Sequence, residues 1–294
     1  MAFTYALDQS YFLRSTQAPL ETTLRSDEIK VSLFPRWYHH ISLEWSVPAS
    51  WGDVVFNVYF SETAEFEFRK LTAQPLHDPF FADTTTREFS KTNHSYYVVE
   101  AILLDRDGIA VRSKPISWGS SENGKMRRFV ELRSIEIQRR EYWLLSRFNG
   151  IKSYLFRRKN YGKRCTVCWN SKTEKVMDDR CPVCLGTSFE GGYFKPVNLY
   201  VNYEPTPLVR QNSYSGVSED AALEAWTISI PEIRDLDVIV RTSDWAIFQV
   251  HVVAPTELQT RPVRQRLRLN QLSRSEVEFE LVKRNLPDFP VELF

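Results

Sequence analysis

Cys165-Thr166-Val167-Cys168, then twelve residues, then Cys181-Pro182-Val183-Cys184: this stretch decides how the chain is read. All four cysteines of the protein lie in it. Two Cys-x-x-Cys turns a short loop apart aim four thiolates at one point. That is what a tetrahedral zinc ion needs, with each sulfur about 2.3 Å from the metal. Gly186, Gly191 and Gly192 follow and supply tight backbone bends, and Pro182 stiffens the second turn. Four thiolates leave no position for water or substrate. Cys165, Cys168, Cys181 and Cys184 are therefore expected to hold a structural Zn2+, not a catalytic one. A pair of disulfides and four free thiols are the competing readings. Disulfides belong mainly to secreted or surface chains, and Met1-Ala2-Phe3-Thr4-Tyr5 lacks a basic n-region and a long apolar run. Unrelated free thiols would not fall in two pairs at this spacing.

Around that centre, 294 residues suggest two or three domains. Hydrophobic residues at 43% and aromatics at 14% suffice for cores and favour strands. Lys and Arg number 38 against 37 Asp and Glu, a net charge of +1, whereas a dedicated nucleic-acid binder carries a larger basic excess. There is no apolar run of membrane-spanning length, so no membrane partner is expected. The thiols are expected to be made in a reducing cytoplasm.

Toward the N-terminus, residues 1–30 lack periodicity and read as an extended arm that orders against a partner. From there the pattern becomes strand-like. Ile41-Ser42-Leu43-Glu44-Trp45 alternates apolar and polar, the mark of a half-buried strand. Residues 54–60 and 96–104 follow, then Asp105-Arg106-Asp107-Gly108 as a hairpin turn and residues 109–118 as a closing strand. Short strands at regular spacing predict a β-sandwich over 31–118. Several residues carry a likeness here: Leu43-x-Trp45 with Pro48, Asn57-Val58-Tyr59-Phe60-Ser61 after Phe56, residues 96–101, and Ser113-x-Pro115. The segment resembles a fibronectin type III domain. The resemblance implies an adhesive or spacer module with no chemistry of its own. Asp105-x-Asp107-Gly108 begins like a calcium loop but lacks the distal glutamate and the flanking helices, so it is read as a turn.

Residues 119–125 are a linker by composition, and 126–150 read as a helix ended by Asn149-Gly150. Phe129, Leu132, Ile135, Arg139, Tyr142 and Leu145 form roughly one face. Its arginines interleave with Glu131, Glu136 and Glu141, as on a solvated face. The zinc module spans 151–195. It opens on a short strand that runs into Arg157-Arg158-Lys159-Asn160-Tyr161-Gly162-Lys163-Arg164. That basic segment suits three roles: contact with nucleic acid, charge balance for a four-thiolate site, or contact with an acidic partner.

The remainder, 196–275, predicts a small antiparallel β-barrel. Its strands are 197–203, 225–230, 237–241, 245–253 and 263–272, with a long surface loop over 205–223. Arg264, Arg266 and Arg268 share one face of the last strand, and 276–294 reads as a C-terminal tail. The fold class is thus mainly β: sandwich, linking helix with four-cysteine zinc module, and barrel.

No catalytic constellation appears. The histidines at 39, 40, 77, 94 and 251 are scattered, and there is no P-loop or dinucleotide fingerprint, so the chain reads as a non-enzyme. A second likeness covers 137–272. It runs through Arg139-Arg140-Glu141, residues 154–165, Cys168-Trp169, Cys181-Pro182-x-Cys184-x-Gly186-Thr187-x-Phe189-x-Gly191-Gly192-Tyr193, and Asp235-Leu236-Asp237-Val238 in the barrel. It resembles a group of tailed-phage virion proteins, and the barrel is similar to head-closure proteins of the phage neck. The sandwich and the zinc module depart from a minimal head-closure protein. The resemblance implies a virion structural subunit at the neck or tail, made in the host cytoplasm. Such a subunit would form a homo-oligomeric ring against other virion proteins (portal or adaptor, tail or sheath terminator), with DNA near only by proximity. The alternatives are a nucleic-acid-binding zinc ribbon using residues 157–164, a baseplate or tail structural protein, and a hydrolase with an adhesion module.

Overall fold

The computed structural model describes residues 26–37, 40–62, 67–84, 95–106, 108–117, 124–170, 172–173, 175–178, 180–204, 209–213, 216–220, 223–258, 261–273 and 276–286. Most of the expected arm, most of the linker and the last eight residues lie outside them.

The N-terminal part holds β1 (Lys30–Trp37), β2 (His40–Ser46), β3 (Val54–Ser61), β4 (Arg69–Lys70), β5 (Phe80–Asp83), β6 (Tyr96–Leu103), β7 (Ile109–Arg112) and β8 (Ile116–Ser117). One sheet runs β1-β2-β5 and the other β4-β3-β6-β7, with β8 also on β6. All pairs are antiparallel. Alternation places Ile41, Leu43 and Trp45 of the first sheet against Phe56, Val58, Tyr97 and Val99 of the second, in one buried core. Ile29, expected in the arm, is buried in that core. On the outer face of β6, Glu100 accepts bonds from Asn57 Nδ2, Tyr59 OH and Arg112 Nε. Burial alone would raise its carboxyl; these three donors hold it below the ordinary range.

Helix α1 (Gly124–Leu144) ends in a single π turn, Leu145–Asn149. The barrel follows: β9 (Ile151–Phe156), then, past the two-stranded ribbon β10 (Trp169–Asn170) and β11 (Lys175–Val176), β12 (Val197–Glu204). A second ribbon, β13 (Val209–Ser213) with β14 (Gly216–Asp220), precedes β15 (Leu223–Ile228), β16 (Val238–Arg241), β17 (Ile247–Leu258) and β18 (Arg261–Gln271). Six strands close in the order β12-β15-β18-β17-β16-β9. Leu155, Leu199, Val201, Ile239, Phe248, Val250, Leu267 and Leu269 fill the interior.

Alternate residues of the same strands are buried too, because both flanks of the barrel are covered. Phe156, Val238, Val240 and Ile247 pack under α2 (Val277–Asn285) through Phe279, Leu281 and Val282. Trp226 and Ile228 pack under Leu145 and Tyr142 at the end of α1. Midway along α1, Gln138 Nε2 donates to Ser229 Oγ and to the Pro262 carbonyl. Glu141 takes a two-toothed bond from Arg264, which also stacks on Trp226 at 4.1 Å.

Four expectations are corrected. Strand 151–156 is a barrel strand and not part of the zinc module. The segment read as tail contains α2, docked on the barrel. The long loop 205–223 includes a paired ribbon. The docked line of α1, over the residues whose side chains are described, is Ser134, Gln138, Tyr142 and Leu145. Half of that line is polar and therefore invisible to a count of apolar residues. No helix among the described residues is long and apolar enough to cross a membrane.

Candidate metal centre

Cys165 and Cys168 lie on one turn, Cys181 and Cys184 on the other, and all four are buried. Their sulfurs lie within 4.8 Å of one another. Cys165 and Cys181 are 3.9 Å apart, and Cys168 and Cys184 are 3.1 Å apart. Sulfurs about 2.3 Å from a central ion in a tetrahedron sit about 3.8 Å apart; the first pair matches that, the second is tighter, and the four together could hold one metal ion. None of the four is in a disulfide.

The turns are built by backbone bonds. Met177 N–H donates to the Cys168 carbonyl, and Leu185 N–H to the Cys181 carbonyl. After Cys184 the chain takes left-handed conformations at Leu185, Gly186 and Ser188. Gly192 is also left-handed, and a Cβ there would meet the Cys184 carbonyl oxygen at 2.9 Å, so glycine is required. Burial opposes ionisation of Cys181, yet the N–H groups of Cys184 and Val183 hold its thiol down at about 7. Burial pushes Cys168 and Cys184 up. Four thiolates so close together repel, and a divalent cation compensates them.

Below the turns the two strands of the module run as a stem. Lys159 N–H donates to the Gly192 carbonyl and Phe194 N–H to the Arg157 carbonyl. The basic segment makes its contacts within or beside this stem, with Lys163 and Arg164 at the surface. Arg157 is buried in an ion pair with Glu44 of β2. Arg158 donates to the Gly186 carbonyl at 2.6 Å and Lys159 to the Glu190 carbonyl at 2.7 Å. Lys163 pairs with Glu190. Arg164 lies between Trp169 and Phe189, 4.2 and 4.3 Å from their ring centres, and donates to Ser188 Oγ. It thereby clasps the chain on either side of the cysteines. The stem reaches the domains on both sides. Tyr161 and Phe194 enter the sandwich core, while Tyr193, together with Leu185, packs under α2. Nothing local announces these roles, since Glu44 is 113 residues from Arg157.

Two buried acids mark the junction with the barrel. Glu44 is also bonded by Glu232 N–H, and Asp237 accepts the N–H groups of Arg158 and Arg234. Burial raises Glu44, against the pull of Arg157. Burial lifts Asp237 to about 7 despite its two backbone donors.

No family model matches the sequence, and no curated protein does. A solved structure that matches is that of the pectate lyase PelI from Erwinia chrysanthemi in complex with tetragalacturonic acid, at 19% identity. The match covers 32% of this chain and 29% of that one, with a TM-score of 0.26. At that score it bears on neither fold nor activity.

Proposed function

We propose that this chain is a structural subunit of a tailed-phage virion, at the neck or head–tail connector, that acts through protein contacts in a ring. The observation that carries the reading is the use made of the four-cysteine module. Arg157 of its basic segment ties it to the sandwich, and Tyr161, Phe194 and Tyr193 seat it in the cores on both sides, so that one module joins sandwich to barrel. A subunit that transmits position through an assembly needs its parts joined in this way. Exposed apolar side chains remain for neighbours, among them Phe148 and Met177, both 71% exposed, and Val167 beside Cys168. The assignment to a phage neck rests on the sequence likeness over 137–272, and the closed barrel supports it. Expected neighbours are further copies and other virion proteins such as portal, adaptor or terminator subunits. The strand order of the sandwich supports the fibronectin type III-like reading of 31–118.

The metal is proposed to be Zn2+, which takes four thiolates in a closed tetrahedral site without redox chemistry. Elemental analysis of the purified chain is expected to give one zinc per chain. The nucleic-acid alternative is weakened, because Arg157 is buried against Glu44 and Arg158 and Lys159 bond backbone carbonyls, which leaves Lys163 and Arg164 as the exposed cations of the segment. Electron microscopy of the purified chain at high concentration is the test: rings or ring arcs are expected, and monomers alone overturn the proposal. A salt-dependent mobility shift with DNA would revive the alternative.

A further inference from the structure

Where sandwich, stem and barrel meet there is a cavity of about 20 Å3, lined among others by Glu44, Trp45, Arg157, Tyr161, Phe194 and Asp237. Two of these side chains carry donors that have no acceptor among the described residues: Trp45 Nε1 and Arg157 Nε. Both residues are buried, Trp45 2% and Arg157 9% exposed. Native proteins rarely leave such donors unpaired, and a buried water is the usual partner where the space is polar.

The same walls offer acceptors. Each carboxylate oxygen of Glu44 and of Asp237 takes one N–H: from Arg157 and Glu232 at the first, from Arg158 and Arg234 at the second. An oxygen with two lone pairs has room for one more. The residues that carry the two free donors and the spare acceptor capacity all line this one small space. Its volume suits a single molecule, since one water needs roughly 10–15 Å3 of such space. A bare anion would face two carboxylates, and a cation would face the guanidinium of Arg157.

We infer that this cavity binds one ordered water, which accepts from Trp45 Nε1–H and Arg157 Nε–H and donates to the carboxylates of Glu44 and Asp237. The water belongs to the joint. Trp45 and Glu44 come from the sandwich, Arg157 from the start of the stem and Asp237 from the edge of the barrel, and one molecule touches all three. The inference stands apart from the metal and from the proposed assembly.

The test uses the full chain labelled with 15N. Trp45→Phe identifies the Trp45 indole signal by its disappearance. In the unaltered chain that indole proton is expected to show a persistent cross-peak to water of the sign given by a long-lived bound molecule. A protected indole proton without that cross-peak overturns the inference. A crystal structure supplies an independent reading if the variant fails to fold. One spherical density peak between Trp45, Arg157 and the two carboxylates supports it. A Trp45 or Arg157 nitrogen bonded directly to a protein acceptor, or an anomalous peak in that place after a bromide soak, overturns it.

Discussion

Glu44 shows how a strand pattern misleads at the residue scale. Ser42 and Glu44 alternate with Ile41, Leu43 and Trp45, so the sequence assigns them to a solvated face. Both are buried, because the stem and the barrel cover that face. Glu44 is the only partner placed on the Arg157 guanidinium among the described residues. Removing one member of a buried pair strands the other charge and costs about 3–5 kcal/mol, far more than the pair adds over apolar neighbours. Glu44→Ala is expected to lose stability on that scale in urea unfolding; a loss under about 1 kcal/mol would mean that the guanidinium reaches solvent unaided. Asp237 gives a pH signature. Its carboxyl is raised in the fold to about 7 from 3.8, so the folded state binds the proton more tightly than the unfolded state. Its contribution is complete below about pH 4 and is lost as pH rises to about 7, by on the order of a few kcal/mol. Glu44, raised as well, acts in the same direction. Glu100 is lowered, so its contribution fades only in more acid solution, below its ordinary 4.5. Unfolding midpoints compared at pH 5 and pH 8 are therefore expected to favour pH 5. Asp237→Asn is expected to flatten the difference while lowering stability at both. An unchanged slope would assign the effect elsewhere.

At the scale of elements, legibility followed periodicity and locality. The strands 54–61 and 96–103 and the turn at Gly108 were legible because a single apolar stripe and a single glycine specify each. The clustering of the four cysteines is legible because their spacing is local. Helix α1 was legible as a helix, but its docking line was not, since Ser134 and Gln138 are polar and Gln138 docks through hydrogen bonds. Strand β9 reads as part of the module because it adjoins it in sequence, while its partners, β12 and β16, come more than forty and eighty residues later. The basic segment reads as available because most of its partners are distant in sequence or are backbone carbonyls. Arg164 is the sharpest case. Its stacking on Trp169 and Phe189 ties the chain that follows the first turn to the chain that follows the second. Groups that orient ligands in this way are typically worth about 10–100-fold in metal affinity. Arg164→Ala is expected to weaken metal binding by that factor in competition with a chromophoric chelator. Arg164→Lys keeps the charge and loses the planar stack, so it is expected to fall between. Equal affinity in all three would reduce the clasp to surface decoration.

At the scale of the molecule, the stem makes the parts interdependent. Tyr161 lies against Phe56 at 5.8 Å and against Phe194 at 5.1 Å, inside the sandwich core. A fragment of 119–294 would expose both rings together with Arg157, so it is expected to aggregate where the full chain does not. A soluble, cooperatively folded fragment would instead show that the barrel closes without the sandwich.

Metal removal probes the same coupling from the other side. The cysteine cluster closes the far end of a stem whose near end is shared by two cores, and local opening spreads along such contiguous units. With a chelator present, hydrogen exchange is expected to rise first at Met177 and Leu185, whose N–H groups bond within the turns. It should then rise at Lys159 and Phe194 in the stem, and at Lys195, whose N–H donates to Asp78 of the sandwich. Barrel amides such as Val250, which bonds to the Asp237 carbonyl, are expected to stay protected. The ordering matters more than the amount. Exchange confined to the turns would mean that the metal holds its own loop and nothing else. Loss of protection that reaches Lys195 would mean that four sulfurs set how firmly the sandwich is held on the barrel.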